Sequence, residues 1–256
     1  MTLFTHCITA KDAQSTVVDC VRSLTHDPEA HVIIVDASDP PMTVAMPHLR
    51  MEPLPGCTKG AGRNRAVQLA ETDIVFTHID ADNRYHTTRW PMFREAYEYL
   101  RRAPARTMLL GVGRDDKNPG ATHFFGWHRQ ALLDLGGYPD RQFQDDILLI
   151  LKVFRAGWSV HRMIFPSVAD DLQARAPGSA GQTAGRASRA HFTKAIRKFR
   201  HLGFTYGECA RFQWVTRRTP VRFLAALGVI TWVYLGRRQT PDEFLTAVDT
   251  DAAGLS

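Results

Sequence analysis

Two largely apolar runs constrain the fold of this chain more than any other feature. Residues His31–Val35 are almost entirely β-branched, and residues Asp73–Ile79 are mostly apolar as well. Runs of this kind, without regular alternation of apolar and polar residues, are typical of strands buried on both faces of a parallel sheet. Such a sheet needs helices on both faces, so we expect helical segments to separate the strands.

The surrounding segments have the expected alternation from residue 3 to about residue 165. We predict three further strands, over Leu3–Thr9, Thr107–Val112 and Ser159–Ile164. Apolar residues at helical spacing and helix-ending glycines predict helices over Asp12–Leu24, Ala61–Ala70, Thr88–Arg102, His128–Leu135 and Asp145–Ala156. This order predicts an α/β fold, with a Rossmann-like and mainly parallel sheet flanked by helices.

Basic residues are concentrated in the C-terminal part of the chain. Residues 186–238 contain 12 basic side chains and a single acidic one, Glu208, whereas the net charge of all 256 residues is only +6. The composition predicts three segments: an α/β domain over residues 1–170, a mobile loop over 171–190, and a basic amphipathic helical extension over 191–256.

The extension combines this positive charge with apolar stretches. Apolar side chains recur at helical spacing from Phe192 to Leu202, and a 13-residue apolar stretch runs from Phe223 to Leu235. A helix of that length measures about 20 Å, which is shorter than the ~30 Å hydrocarbon core of a membrane. We expect residues 192–238 to lie on an anionic membrane surface. The alternatives are packing on the rest of the chain or on a second copy, as a homodimer, and contact with nucleic acid.

The cysteines and the N-terminal residues indicate the compartment. The four cysteines have no zinc-binding spacing, so each is expected to be a small buried side chain. The first 14 residues lack the charged start and the apolar core of a signal peptide. We therefore expect a cytoplasmic protein, held at the inner face of the membrane if the extension binds there.

Carboxylates follow two of the predicted strands. Asp36 ends the second strand, and Asp80 and Asp82 follow the strand that ends at Ile79. Ligands of open α/β sheets bind beyond the carboxyl ends of the strands, and Mg²⁺ commonly bridges carboxylates to substrate phosphates. Asp80 and Asp82 therefore predict a divalent metal site at this edge of the sheet.

A third group of carboxylates, Asp145 and Asp146, opens a predicted helix. Aspartate is favoured at helix starts, where it caps free amide groups and faces the positive end of the helix dipole. The alternative is that one of the two is a general base, which takes a proton from a reacting hydroxyl. Both interpretations stay open, because one aspartate is able to do each job.

In order along the chain, these segments resemble those of inverting family-2 glycosyltransferases of the GT-A fold. The matching segments are Val32–Ser38, Lys59–Ala66, Ile79–Asn83, and Trp127–Asp140 with Gln144–Asp146 and Arg155–Gly157. The resemblance covers residues 3–165 and implies a metal-assisted transfer of a sugar from a UDP- or GDP-sugar to an acceptor hydroxyl. The chain lacks the Gln-x-x-Arg-Trp sequence of the processive members, so a polymer synthase is not expected. The alternative function is a nucleotide- or nucleic-acid-binding module without turnover.

The resemblance also implies roles for individual residues. Asp146 would be the catalytic base, with Asp145 beside it where the family usually has Glu. Asp80 and Asp82 would hold Mn²⁺ or Mg²⁺, and His161 would be a third ligand or an ordinary strand residue. The nucleotide-sugar donor would contact a larger set: Thr9, Ala10, Asp36, Gly60, Arg63, Asp80, Ala81, Arg186 and Arg189.

Several implied roles have structural alternatives. Arg63 and Asn64 are equally suited to fixing the preceding loop at a helix start, and the loop that carries Arg186 and Arg189 would be a lid or a simple connector. Trp127 would stack on an acceptor sugar or pack in the core, and His128 would contact the acceptor. The acceptor is expected to be a lipid-linked glycan, a small molecule or a modified base in nucleic acid.

Overall fold

The computed structural model of the protein describes residues 2–89, 91–113, 122–142, 145–172, 200 and 205–216, and also residues 227, 230, 231 and 235. The chain divides into two compact units, Met1–Ala184 and Gly185–Ser256. All described strands belong to the first unit. The segment boundaries predicted at residues 170 and 190 stay predictions, because residues 173–199 lie outside the described part.

Seven strands of the first unit form one sheet. They are β1 (Phe4–Ala10), β2 (Ala30–Asp36), β3 (Leu49–Pro53), β4 (Ile74–Ile79), β6 (Thr107–Gly113), β7 (Thr122–His128) and β8 (Ser159–Phe165). Their order across the sheet is β3-β2-β1-β4-β7-β6-β8. Strand β7 is antiparallel to both neighbours, and the other neighbouring pairs are parallel. The predicted α/β fold with a mainly parallel sheet is confirmed.

Helices cover both faces of this sheet. In the first unit the described helices are α1 (Val17–Leu24), α2 (Lys59–Leu69), α3 (Met92–Arg102), α4 (Arg129–Asp134) and α5 (Asp145–Arg155). Helices α1 and α3 pack in one apolar cluster with Phe4 and Ile8 of β1. Because side chains alternate along a strand, Thr9 points to the opposite face, where it meets α2.

Two strands of this sheet, β3 and β7, were not predicted from the sequence. Strand β3 lies in a proline-rich segment predicted as loop, and it is an edge strand without fully buried residues, so it has no apolar run. Strand β7 ends at His128, where a helix was predicted to begin. Its antiparallel direction places His128 beside Ile74, the first residue of β4, and therefore at the amino edge of the parallel strands.

A separate two-stranded pair supports the turn after β4. Strand β5 (Asn83–Tyr85) is antiparallel to β9 (Ala169–Asp171), with Asn83 opposite Asp171. The amide of Leu172 donates a hydrogen bond of 2.7 Å to the carbonyl of Asp82. The last described part of the first unit thus holds the turn that carries Asp80 and Asp82.

The described part of the second unit contains helix α6 (Tyr206–Thr216). Thr205 and Glu208 cap its start reciprocally: each side chain accepts a hydrogen bond from the amide of the other. Among the described residues, none of the helices has both the length and the apolar character needed to cross a membrane. Most of residues 192–238 lie outside the described part, so their predicted membrane, dimer or nucleic-acid contacts stay predictions.

Candidate functional site

A β-bulge near the end of β4 shapes the carboxyl edge of the sheet. His6 of β1 pairs with Phe76, but Ile8 pairs with Ile79, so Thr77 and His78 together oppose a single residue. His78 has a φ of 60°, a left-handed conformation that is strained for a residue other than glycine. Bulges bend a strand and redirect its side chains, and they are frequent beside active sites. The bulge therefore sets the direction in which the chain enters the turn at Asp80.

Asp80 is held by contacts on three sides. Its amide donates to the hydroxyl of Tyr85 at 3.1 Å, and its carbonyl accepts from the amide of Asn83 at 3.2 Å. Its carboxylate lies 3.2 Å from the ammonium nitrogen of Lys59. Burial is the largest single influence and acts to raise the pKa of Asp80, but Lys59, His78 and Arg63 together outweigh it, so the pKa is lowered. Asp80 is therefore ionised at neutral pH.

Arg63 and Asp145 form a buried ion pair at the start of α5. The guanidinium and the carboxylate are 2.5 Å apart, and their side chains are only 2% and 3% exposed. The guanidinium also lies over the ring of Tyr138, 5.2 Å from its centroid. Burial raises the pKa of Asp145, and the charge of Arg63 offsets part of that rise. The carboxylate of Asp145 is thus paired with Arg63 in the interior, and this contact fixes the first turn of α5.

Asp146 follows immediately but has different surroundings, because its side chain is only half-buried. Its negative charge acts on His78, as does that of Asp80. The pKa of His78 is lowered to about 4 because burial and the nearby Arg63 disfavour the imidazolium, and the two carboxylates only partly compensate. The neutral imidazole of His78 is therefore close enough to both Asp80 and Asp146 for their charges to act on it.

His78 is a site residue that the sequence did not reveal. Its ring stacks on Phe125 with centroids 4.5 Å apart, and its Nδ1 lies 3.4 Å from the guanidinium of Arg63. The available signal was a polar residue just before the end of an otherwise apolar strand. That signal did not distinguish a histidine that lies in a β-bulge beside a site from an ordinary histidine within a strand.

The start of α2 is joined tightly to the loop before α5. Asn64 accepts a hydrogen bond from the amide of Tyr138 at 2.7 Å and donates one to its carbonyl at 2.8 Å. The amide of Gly60 donates to the carbonyl of Arg141, and a β-carbon at Gly60 would lie 1.9 Å from the carbonyl oxygen of Pro139. These contacts correspond to the loop-fixing alternative for Arg63 and Asn64. They also leave Gly60 packed against the loop, where its amide has no free hydrogen for a donor phosphate.

Four other predicted donor contacts are buried or half-buried in the structure. The carboxylate of Asp36 accepts hydrogen bonds from the amide and hydroxyl of Ser38 and from the amide of Met42, and it is 1% exposed. Ala10 and Ala81 are buried as well. Asp36, the last residue of β2, is thus engaged by hydrogen bonds in the interior and is not exposed to a nucleotide base. Thr9, half-buried, donates to the carbonyl of Lys59 at 3.3 Å.

The predicted acceptor residues do not lie at an open surface of this edge. Trp127 is fully buried, and its indole nitrogen donates to the hydroxyl of Thr77 at 2.8 Å. A fully buried indole is unable to stack on a sugar, so Trp127 corresponds to the core-packing alternative. His128 lies at the amino edge, because β7 runs antiparallel to β4. We therefore leave both residues out of the site proposed below.

His161 also lies away from the predicted metal ligands. It precedes the carboxyl end of β8 by four residues, which corresponds to roughly 13 Å along a strand. Its ring stacks on Tyr99 with centroids 4.1 Å apart. The arrangement corresponds to an ordinary strand histidine.

Arg186 and Arg189 lie outside the described residues, so their predicted contacts with the donor stay predictions.

A divalent ion would have carboxylates as its protein ligands here. Within the described part of the chain, no group of three or more His, Cys, Asp or Glu side chains is arranged to hold a metal. Asp80 and Asp82 nevertheless follow the strand end directly, and hard divalent cations need only one or two carboxylates when substrate phosphates and water complete the shell. The donor set fits Mg²⁺ or Mn²⁺ bound together with a phosphorylated substrate.

Comparison with solved structures identifies the fold. The mannosyltransferase PcManGT from Pyrobaculum calidifontis, solved with GDP-Man and Mn²⁺, matches with a TM-score of 0.54 over 98% of this chain and 74% of that chain, at 17% identity. S. aureus TarS 1–349 matches with a TM-score of 0.53 over 90% of this chain and 71% of that chain, at 12% identity. TarS has also been solved with UDP-GlcNAc. The protein therefore has a GT-A-like glycosyltransferase fold. No family model matches the chain, and no curated protein matches its sequence.

Proposed function

We propose that this protein is a glycosyltransferase that moves a sugar from a UDP- or GDP-sugar to an acceptor hydroxyl, with inversion at the anomeric carbon. The observation that carries the proposal is that two adjacent aspartates, Asp145 and Asp146, differ in burial and in ion pairing. Asp145 is held in a buried ion pair with Arg63, while Asp146 is half-buried and its charge, like that of Asp80, acts on His78. The fold supports the proposal, since structures of this fold bind UDP-GlcNAc and GDP-Man.

Asp146 is the base in this proposal. Its carboxylate takes the proton of the acceptor hydroxyl, whose oxygen forms a bond to the anomeric carbon on the face opposite the diphosphate. The bond between that carbon and the diphosphate oxygen breaks, and the nucleoside diphosphate leaves with the electron pair. Asp145 is unsuited to this role because its carboxylate is buried and paired.

Asp80 and Asp82 form the donor end of the proposed site. They would hold Mn²⁺ or Mg²⁺, which offsets the negative charge that develops on the leaving diphosphate. Asp80 is suited to this because the positive charges around it lower its pKa. Its backbone is fixed by the hydrogen bond that its amide donates to the hydroxyl of Tyr85 and by the one that its carbonyl accepts from Asn83. The charges of both Asp80 and Asp146 act on the buried Arg63 and on the neutral His78, which supports placing the two carboxylates in one site.

The basic segment 192–238 guides the choice of acceptor. If it binds an anionic membrane surface, a lipid-linked glycan is the first acceptor to test. If it binds nucleic acid, the modified base of a nucleic acid takes that place. A small-molecule acceptor is the first choice if it packs on the first unit or on a second copy.

The proposal is tested by a screen of nucleotide-sugars with Mn²⁺ or Mg²⁺. Calorimetry and release of nucleoside diphosphate are followed for the wild type, for Asp82→Ala, and for the exposed control Asp134→Asn on α4. We expect one donor to bind the wild type and the control with metal, to be hydrolysed slowly, and to lose metal-dependent binding in Asp82→Ala. Absence of binding by every donor, with either metal, would contradict the proposal.

A further inference from the structure

Lys59, the first residue of α2, lies against the donor end of the proposed site. Its backbone is fixed on both sides, because its carbonyl accepts from the hydroxyl of Thr9 at 3.3 Å and its amide donates to the side chain of Gln142 at 3.2 Å. Its ammonium group lies 3.2 Å from a carboxylate oxygen of Asp80. The chain thus places a cation of its own on one of the two carboxylates that would hold a divalent ion.

The location of this lysine is electrostatically unusual. Helix α2 has no acidic residue in its first turn, so Lys59 adds a positive charge at the positive end of the helix dipole. A positive charge at this end of a helix is unfavourable. The nearby Asp80 offsets that cost, which explains why the ammonium points towards the strand-end turn.

The ion pair between Lys59 and Asp80 is exchangeable. The two side chains are 38% and 41% exposed, and ion pairs with that degree of exposure contribute little to stability. This contrasts with the pair of Arg63 and Asp145, which is almost completely buried. A flexible lysine side chain on a fixed backbone is therefore able to leave Asp80 without disturbing the helix.

We propose that Lys59 neutralises Asp80 until the donor arrives, so that a divalent ion must displace the ammonium group to bind Asp80. When the donor is present, its diphosphate offers the displaced ammonium a new anionic partner, and Asp80 becomes available to the ion. Metal and donor then bind with positive coupling, each raising the affinity for the other. The coupling to the donor rests on the proposed function, whereas the competition at Asp80 concerns only the lysine, the carboxylate and the metal.

Binding of Mn²⁺ alone, measured without nucleotide by titration of its electron paramagnetic resonance signal, tests the competition. The variants are Lys59→Met, which removes the charge and keeps the length, and Lys59→Arg, which keeps the charge. Lys11→Met serves as a matched control, because Lys11 is an exposed lysine just beyond the end of β1. We expect Lys59→Met to bind Mn²⁺ about fivefold more tightly than the wild type, equivalent to about 1 kcal/mol, while the other two variants resemble the wild type.

Two additions locate the effect and guard against misfolding. Asp80→Asn in the Lys59→Met background should abolish the gain in affinity, and thermal unfolding checks that each variant folds. Equal Mn²⁺ affinity in the wild type and Lys59→Met, or no binding by either, would overturn the proposal. Because nucleotide is absent, failure of every donor to turn over would leave this result unchanged. If a donor is found, its nucleoside diphosphate should raise Mn²⁺ affinity more in the wild type than in Lys59→Met.

Discussion

Arg63 on α2 and Asp145 on α5 form a buried ion pair 2.5 Å apart, although 82 positions separate them in the chain. The pair joins α2, whose first residue contacts Asp80, to α5, whose second residue is the proposed base Asp146. It also gives two adjacent aspartates different surroundings. Asp145 points into the interior as the partner of Arg63, and this orientation leaves Asp146 half-buried at the helix start.

The buried pair predicts a large loss of stability when one partner is removed. Arg63→Met or Asp145→Leu leaves a buried charge without its partner, which typically costs about 3–5 kcal/mol. The double variant should lose much less than the sum of the two single variants, because neither charge remains. Urea unfolding measures all three, with Arg101→Met on the exposed face of α3 as a control that should not change the midpoint. Additive losses would contradict the pairing.

His6 is a second buried polar residue, but it stabilises nothing that the structure reveals. Both of its ring nitrogens are buried without a hydrogen-bond partner among the described residues, within a cluster of Phe4, Phe76 and Phe93. A buried polar group without a partner costs about 1–3 kcal/mol. We therefore expect His6→Leu to raise the free energy of unfolding at pH 7 by about 1 kcal/mol or more.

The same residue predicts a pH dependence of stability. Burial lowers the pKa of His6 to about 3. Below pH 6.5 the unfolded chain therefore binds a proton on His6 while the native state does not, and the free energy of unfolding falls as the pH decreases towards 3. One such group contributes up to about 1.4 kcal/mol per pH unit in this window. The stability difference between His6→Leu and the wild type should grow from pH 7 to pH 5. A difference independent of pH would contradict the burial of a neutral imidazole.

Much of this fold follows from the sequence, because buried parallel strands leave a direct signal. Apolar runs marked β2 and β4, and the aspartates that follow them marked the edge where ligands of such sheets bind. The direction of β7 left no such signal. It depends on pairing with β4 and β6, which are distant in sequence, so the sequence did not indicate that His128 lies beside the first residue of β4.

The strands and helices that carry the candidate residues were predictable from the sequence, but the directions of the side chains were not. The motif residues Asp36, Arg63 and Trp127 do lie near the expected elements, yet all three are buried and hydrogen-bonded or ion-paired inside the protein. A sequence motif indicates the residue types at given positions. Whether each side chain is buried or exposed depends on residues that are far away in the chain. Lys59 and His78 show the converse, because their positions beside Asp80 become apparent only from the bulge and the start of α2.

The basic extension predicts binding to anionic membranes. Deletion of residues 219–238 removes the 13-residue apolar stretch and the arginines beside it. We expect the wild type to co-sediment with vesicles that contain anionic lipid but not with neutral vesicles, and the deletion variant to remain in the supernatant. High salt should weaken the binding, because charges that are exposed to solvent are screened. Equal binding of the wild type and the deletion variant would remove the membrane interpretation and favour packing or a homodimer.

The most direct test of the account is the comparison of donor binding with sugar transfer in Asp146→Asn. The variant keeps the size of the side chain but removes the base, so we expect unchanged affinity for the nucleotide-sugar and a loss of about 10²–10⁴-fold in the rate of transfer. The affinity should stay because Asp80, Asp82 and the buried pair of Arg63 and Asp145 are untouched. Full activity of Asp146→Asn would contradict the assignment of Asp146 as the base.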